Sequence, residues 1–250
     1  MIAVTLILGI IFSIASFVAA FFLLPRKERI ATAAIIGMAF MLGAIFIQSM
    51  LQSIPAIYLI FIKGMGAEAG SAAYVALERN YPLLIAAFLG LMAGFWQELA
   101  KFFAVKYNSA GLAPWVGFGF AAIDILIFLV SLAPGLNISA SQEAAIGLAS
   151  IIPVILQAPF SMAFHTGTAA FLRRGIEQGR AKSIRNLIIA VLAHAYVDGS
   201  LDYVTILIAL LGLQHLLGDL IVWIQSGAIA LVFLVYLTAY IKDTKDTARS

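Results

Sequence analysis

Seven long apolar runs constrain the fold of this chain more than any other feature of its sequence. Each run is long enough to cross roughly 30 Å of hydrocarbon as a helix. A segment inside a bilayer must satisfy its own backbone hydrogen bonds, and the alternation typical of a membrane β-barrel is missing. The sequence therefore predicts an all-α fold, a single integral-membrane domain over residues 1–250 built as a bundle of about seven transmembrane helices. The predicted spans are 2–24, 31–61, 82–106, 114–133, 147–172, 185–211 and 217–241.

The second run is longer than one bilayer thickness requires. Pro55 lacks a backbone donor and is expected to interrupt the helix near Gln52. We predict that the chain beyond this point is tilted or lies at the membrane interface.

Composition supports a membrane protein and excludes several other classes. Hydrophobic residues make up 63% of the chain and charged residues 11%, against about a quarter charged in soluble proteins. The net charge of +3 comes from short basic clusters between apolar runs, which favours membrane topology over nucleic-acid binding. Because the chain has no cysteine, it has no disulfide, no thiolate metal ligand and no cysteine nucleophile.

Basic residues are distributed unequally between the two ends of the predicted spans. Thirteen of the fifteen Lys and Arg residues fall on one side, and only Lys63 and Arg79 fall on the other. The positive-inside rule then predicts an outer N-terminus and a cytoplasmic C-terminus, most simply in the plasma membrane. The first run carries its charges after the apolar stretch, so we expect it to be retained as an anchor. The thirteen are Arg26, Lys27, Arg29, Lys101, Lys106, Arg173, Arg174, Arg180, Lys182, Arg185, Lys242, Lys245 and Arg249.

Four ionisable residues lie inside different runs at one depth. Each stands eight to ten residues from the cytoplasmic end of its run, which corresponds to roughly 12 to 15 Å along a helix. Ionisable side chains in a membrane are costly unless they are paired or hydrated, so we predict that they share a polar cavity open to the cytoplasm. Asp202, near an outer end, receives no role. The four residues are Glu98, Asp124, His165 and His194; Asp198 lies one turn deeper, on the His194 face.

Local spacing adds two further contacts. Residues three or four apart share a helix face, so Lys101 can reach Gln97 and Glu98 and either neutralise the glutamate or extend to the interface. His194 and Asp198 are likewise neighbours. Two histidines with a carboxylate suit general acid–base chemistry on water, or metal binding. The simpler alternative is that these groups only tie helices together.

Four blocks of sequence resemble, in order, the motifs of PrsW-type and YhfC-type intramembrane peptidases, relatives of the CAAX protease and bacteriocin-processing (CPBP) group. The blocks are QELAK at 97–101, GFGFAAID at 117–124, FHTGTAAF at 164–171 and HAYVD at 194–198. The resemblance implies a peptidase in which a glutamate and His165 activate water while His194 and Asp198 stabilise the oxyanion. It also allows a metal-dependent mechanism, with zinc held by Glu98, His165 and His194. The implied partners are membrane lipids and a membrane protein or peptide substrate.

Gln97 departs from that family pattern. The first glutamate of the family's Glu-Glu pair is Gln97 here, and an amide cannot accept a proton at neutral pH. Glu98 is no simple replacement, because the next residue of a helix points about 100° away. An isosteric substitution that silences an enzyme is one explanation of Gln97.

A second explanation is a non-catalytic protein. The chain is also similar to the Aph-1 scaffold subunits of gamma-secretase, which share the Gln-Glu pair, an FG block, a histidine before threonine and the predicted orientation. That resemblance implies a scaffold or substrate-binding membrane protein with a vestigial site and a membrane partner protein. Asp198 argues against it, because the scaffold family lacks this acid. The two hypotheses stay open.

The charge asymmetry predicts the sidedness of two loops. Reporter fusions placed after Arg185 and after Gly135 are expected to report opposite sides of the membrane, because basic segments stay in the cytoplasm. Two fusions that report the same side would contradict the predicted layout.

Overall fold

The chain folds into helices throughout the part that the structure describes. The computed structural model describes residues 2–25, 28–132, 151–211 and 216–247, and these contain no strand. A π-helical turn, Tyr58–Ile62, follows α3, and a 3₁₀ turn, Ala110–Leu112, precedes α6. The α-helices are α1 Ile2–Leu23, α2 Ile30–Gln52, α3 Ile54–Ile57, α4 Gly66–Asn80, α5 Pro82–Lys106, α6 Ala113–Leu132, α7 Ile151–Glu177, α8 Arg180–Leu211 and α9 Leu216–Thr247.

Six helical segments of the described chain are long and apolar enough to cross a membrane. This confirms the predicted class, an all-α chain with the helices of a polytopic integral membrane protein. The segments are Val4–Leu23, Ile30–Ile62, Pro82–Lys106, Ala110–Ser131, Arg180–Leu207 and Leu220–Thr244.

The predicted fifth span corresponds to α7, which is not among those six. Residues 147–150 of this prediction, and residue 133 of the preceding one, lie outside the described residues. Gln157, Pro159 and His165 interrupt the apolar sequence of α7. The helix can carry them because it packs against α1, α6, α8 and α9. The number of seven crossings therefore stays a prediction.

The second run ends its regular helix where the sequence predicts. Helix α2 ends at Gln52, Ser53 follows as a turn, and Pro55 stands near the start of the short α3. Proline has no N–H with which to continue the ladder of hydrogen bonds. The break leaves the side chain of Gln52 beside α5, where its amide nitrogen donates to the Leu89 carbonyl at 2.9 Å.

Glycines allow α5 and α8 to approach closely. A Cβ built on Gly90 would lie 2.6 Å from the Gly199 nitrogen, and one on Gly94 would lie 2.6 Å from the Ala195 nitrogen. Small residues at such a crossing let two backbones meet. The close contact brings Glu98 of α5 next to His194 of α8.

One end of the bundle is held by side chains that bond to carbonyl groups. Arg173 of α7 donates to Asn108 at 2.7 Å, beyond the end of α5. Tyr240 of α9 donates to Ala110 at 2.9 Å, and Trp115 of α6 donates to Pro25 at 2.7 Å, just after α1. The basic-rich ends of α5, α7 and α9 therefore meet at one end of the bundle, which we call the basic end. Arg26, Lys27 and Arg249 of the charge count lie outside the described residues.

The α5–α8 contact predicts that Gly90→Ala destabilises the protein. The new Cβ would meet the backbone of Ala195 and Gly199, which cannot rotate away, and such overpacking typically costs about 1–3 kcal/mol. Thermal unfolding in detergent should show a midpoint several degrees lower.

Gly43→Ala is the matched control. A Cβ at Gly43 meets no atom within 4 Å, so this variant should unfold at the wild-type temperature or slightly above it. Equal midpoints for the two variants would contradict the close approach of α5 and α8.

Candidate functional site

The carboxylate of Glu98 lies fully buried between α5 and α8. Its Oε1 accepts a hydrogen bond from Lys101 Nζ at 2.5 Å and lies 2.7 Å from His194 Nδ1. The side chains of Glu98 and Lys101 are both 0% exposed. Lys101 therefore neutralises the glutamate, and the alternative in which it extends to the interface is wrong.

Lys101 also contacts two further helices. Its Nζ donates to Thr168 Oγ1 of α7 at 2.9 Å. It lies 5.2 Å from the ring centre of Phe120 on α6 and 5.6 Å from that of Phe164 on α7, within the range of a cation–π interaction. The ammonium group is thus a junction of three helices. Lys101 is therefore a buried cation and does not count among the surface Lys and Arg residues whose distribution predicts the orientation of the chain in the membrane.

His194 lies between two carboxylates. Its Nδ1 faces Glu98, and its Nε2 lies 3.4 Å from Asp198 Oδ2. A neutral histidine has one N–H, whereas a protonated one donates from both nitrogens. Two carboxylate neighbours therefore favour the positively charged ring.

His165 contacts His194 and leaves one nitrogen without a partner. The two ring centres are 5.4 Å apart with an interplanar angle of 68°. His165 Nε2 lies 3.8 Å from Asp124 Oδ2, while its Nδ1 is buried and has no hydrogen-bond partner. Asp124 also accepts from Gln157 Nε2 at 3.1 Å. The predicted meeting of Glu98, Asp124, His165, His194 and Asp198 is confirmed as a geometric arrangement.

Gln97 lies apart from this group. Its Nε2 donates to Gln48 Oε1 of α2 at 2.9 Å, and its own Oε1 is buried without a partner. Successive helical residues point about 100° apart, which explains why Glu98 reaches His194 while its neighbour reaches α2. Neither Gln97 nor Glu98 lines the cavity that adjoins the two histidines, so Glu98 meets the predicted group only through His194.

A cavity of about 60 Å³ adjoins both histidines, and we call it the histidine cavity. A water molecule needs roughly 10–15 Å³ of such space, so the cavity has room for a few waters, and a larger molecule can meet these waters only at its mouth. Gln157 lies eight residues before His165, and Leu201 lies seven after His194, both farther from the basic end. The cavity thus extends away from the helix ends that were predicted to face the cytoplasm. Its polar walls are Asp124, Gln157, Ser161, His165, Asp198 and Ser226, together with His194.

Sequence reasoning missed a second polar cavity of about 270 Å³. We call it the vestibule. Gln48 and Gln52 are four residues apart on α2, a spacing that places both on one face inside an apolar run. Asp202 follows Asp198 at the same interval and could have been found in the same way. The vestibule is lined by Gln48, Gln52, Leu89, Ala93, Asp198, Leu201 and Asp202.

The predicted zinc ligands do not fit a metal ion. Across the described residues there is no group of three His, Asp or Glu side chains placed to hold one. Lys101 already places an ammonium group on the Glu98 oxygen that would bind the metal, and like charges at that oxygen would repel. We therefore derive no chemical step through a metal.

Comparison of the chain with protein-family models, with curated proteins and with solved structures yields no match. The resemblance of the four sequence blocks to intramembrane peptidases is therefore carried forward as a proposal.

The buried ion pair predicts strong coupling between Glu98 and Lys101. Lys101→Met should destabilise the protein by about 3–5 kcal/mol, because it leaves a buried carboxylate without its cation. Glu98→Gln should also destabilise it. The double variant should lose less than the sum of the two, as measured by equilibrium unfolding in mixed micelles.

Asp243→Asn provides the comparison with an exposed pair. Asp243 accepts from Arg174 at 3.1 Å and is 55% exposed, so its loss should cost less than about 1 kcal/mol. Additive costs for the Glu98 and Lys101 variants would show that the pair does not act as a unit.

Proposed function

We propose that this protein is an intramembrane hydrolase of the peptidase type, with its reaction centre in the histidine cavity. One observation carries the proposal: two histidines in ring contact adjoin a small cavity that has room for a few waters and has two aspartates in its wall. Groups of this kind are costly among apolar helices and usually serve a function there. Histidine next to water is the usual means of general acid–base catalysis.

In this proposal His165 is the general base. The Asp124 carboxyl group lies 3.8 Å from Nε2, so the proton of the neutral ring is placed on that side and the unpartnered Nδ1 accepts a proton from a cavity water. The water oxygen then forms a bond to the carbonyl carbon of the peptide. The same proton passes to the amide nitrogen when the C–N bond breaks, so His165 returns to its starting state.

His194 stabilises the charge that develops. It is held between Glu98 and Asp198 and keeps a positive charge at the wall of the cavity. A fixed positive group near the developing oxyanion lowers the barrier because it needs no reorganisation during the reaction. Lys101 is a positioning residue, since it fixes Glu98 and does not line the cavity.

This mechanism does not depend on a glutamate at position 97. The family resemblance implies one there, yet Gln97 contacts Gln48 outside the histidine cavity. Asp124 supplies a carboxylate beside His165 in its place. The proposal therefore keeps the peptidase chemistry and moves the supporting carboxylate from α5 to α6.

The proposed membrane layout has seven crossings, with α7 as the fifth, an outer N-terminus and a cytoplasmic C-terminus in the plasma membrane. Support comes from α7 itself, whose Arg173 bonds to the chain after α5 and whose Arg174 pairs with Asp243 of α9. The basic ends of three helices thus lie at one level. The substrate is a membrane protein or membrane-bound peptide.

A non-catalytic membrane scaffold is the second candidate, and the buried network around Glu98 favours it. Glu98, Lys101, Thr168 and His194 join α5, α7 and α8 without lining the histidine cavity, except for His194. Such a network can hold helices together, or present a surface to a partner membrane protein, without any part in catalysis.

The hydrolase proposal predicts that His165→Ala abolishes cleavage. Loss of a general base typically lowers the rate by about 10² to 10⁴. The measurement is hydrolysis of a panel of membrane-embedded fluorogenic peptides in proteoliposomes, with Asp243→Asn as a control that leaves the cavity unchanged. His165→Asn should keep the fold and lose the activity.

Gln97→Glu separates the alternatives in the same assay. Cleavage by wild type that His165→Ala removes supports the mechanism with Asp124. Cleavage by Gln97→Glu alone supports the family mechanism with a glutamate on α5. No cleavage by either protein, combined with unfolding of His165→Ala and His194→Ala at lower temperature, supports the scaffold.

A further inference from the structure

The vestibule and the histidine cavity share two lining residues. Asp198 and Leu201 line both, and Asp198 lies 3.4 Å from His194 Nε2. Of the other vestibule residues, Asp202 also belongs to α8, and the rest come from the last turns of α2 and the first half of α5. These parts lie toward the bundle end opposite the basic end.

The vestibule has two carboxyl groups, those of Asp198 and Asp202, and no basic side chain in its wall. Asp198 pairs with His194, whereas Asp202 forms no ion pair with any described residue. Glu78 of α4 is close enough to Asp202 for its charge to act on it. Two carboxylates in a partly apolar cavity favour a bound cation, because an unpaired buried charge is costly.

The remaining walls suit an organic cation on an aliphatic stem. Gln48 and Gln52 contribute amide oxygens, which accept hydrogen bonds from N–H donors. Leu89, Ala93 and Leu201 contribute apolar surface. Lysine-like and arginine-like groups combine these two characters, with a charged head and a hydrocarbon stem.

The histidine cavity supplies an independent sign of access from this side. Three buried atoms of its lining residues, Ser161 Oγ, His165 Nδ1 and Ser226 Oγ, have no hydrogen-bond partner. Buried polar atoms are normally satisfied, by ordered water where protein groups are missing. At the basic end of the histidine pair, Lys101 and Phe120 are fully buried and close the route. Asp198, which lines both cavities and is 32% exposed, offers a route for water on the other side.

We propose that the vestibule is the entrance to the histidine cavity and binds an alkylammonium or alkylguanidinium group that arrives from the membrane face opposite the basic end. If the protein is the proposed hydrolase, this group is a cationic side chain of the peptide substrate. The binding and the direction of entry do not depend on that function. The predicted cytoplasmic opening of the site is replaced by an opening on the other face.

The absence of cysteine from the chain allows a direct test with single cysteines. Leu89→Cys places a thiol in the vestibule wall, and Leu91→Cys places one two residues along the same helix at a lipid-facing position that is 45% exposed. Both variants, in sealed vesicles, are treated with two methanethiosulfonate reagents, one that carries a trimethylammonium group and one that carries a sulfonate group. Cleavage of a C-terminal tag by protease added outside the vesicles shows on which face of the membrane α9 ends.

We expect the thiol of Leu89→Cys to react with reagent added on the face opposite the tag. The cationic reagent should react at least about tenfold faster than the anionic one, because attraction between its charge and the vestibule carboxylates is worth roughly 1.4 kcal/mol or more. Asp202→Asn should reduce that preference severalfold. Butylguanidinium should slow the labelling, whereas its neutral isostere butylurea should not. Leu91→Cys should show none of these effects.

Three outcomes would overturn the proposal: equal rates with the two reagents, reaction only from the face that carries the tag, or no protection by butylguanidinium. Leu201→Cys, on the opposite wall, serves if Leu89→Cys does not fold. If both a blocked arginine amide and butylguanidinium protect the thiol from labelling, a peptide side chain is an acceptable source of the cation. If only butylguanidinium protects it, the site is restricted to small free organic cations. Since no substrate is cleaved in this assay, its result is separate from that of the hydrolase test.

Discussion

The buried pair of Glu98 and Lys101 is the interaction on which the rest of the polar interior depends. Two fully buried charges are tolerable only when they neutralise each other and their remaining hydrogen-bonding capacity is used. The pair meets much of this requirement through His194 at Oε1 of Glu98 and Thr168 at Nζ of Lys101, while Oε2 of Glu98 is buried without a partner. Because these partners come from α7 and α8, satisfying one ion pair also fixes the relative position of three helices. His194 is then held where its second nitrogen faces Asp198.

This arrangement explains why α7 can be the least apolar of the long helices and still lie in the centre of the bundle. Gln157 bonds to Asp124 of α6, Thr168 bonds to Lys101 of α5 and His165 contacts His194 of α8, while Gly167 packs against the backbone of Phe233. Surrounding helices shield it from lipid. Helices exposed to lipid cannot carry such residues at low cost.

The sequence predicts the helices and the polar residues that converge, because both follow from rules of spacing. Apolar runs of about 20 residues and a common distance from the basic ends brought His165, His194, Asp124 and Glu98 together correctly. The direction in which each side chain points was harder to predict. Gln97 and Glu98 are neighbours in sequence, yet they contact different helices, since helical rotation separates them and only the packing of α2 and α8 decides what each meets. The vestibule could not be predicted from Asp198 and Asp202 alone, because its other polar residues, Gln48 and Gln52, come from α2, and only the packing of α2 against α5 and α8 brings the two pairs together.

The bonds at the basic end have a mechanical consequence. Arg173, Tyr240 and Trp115 each bond to a backbone carbonyl of another segment, so the helices are pinned at that end as the arms of tweezers are joined at their base. At the opposite end, α5 is held to α2 by the bond of Gln52 to Leu89 and to α8 by the close approach of Gly90 to Gly199. Any widening of the vestibule must therefore be small enough to keep these two contacts, or must break them, while the bonds at the basic end keep the register of the helices.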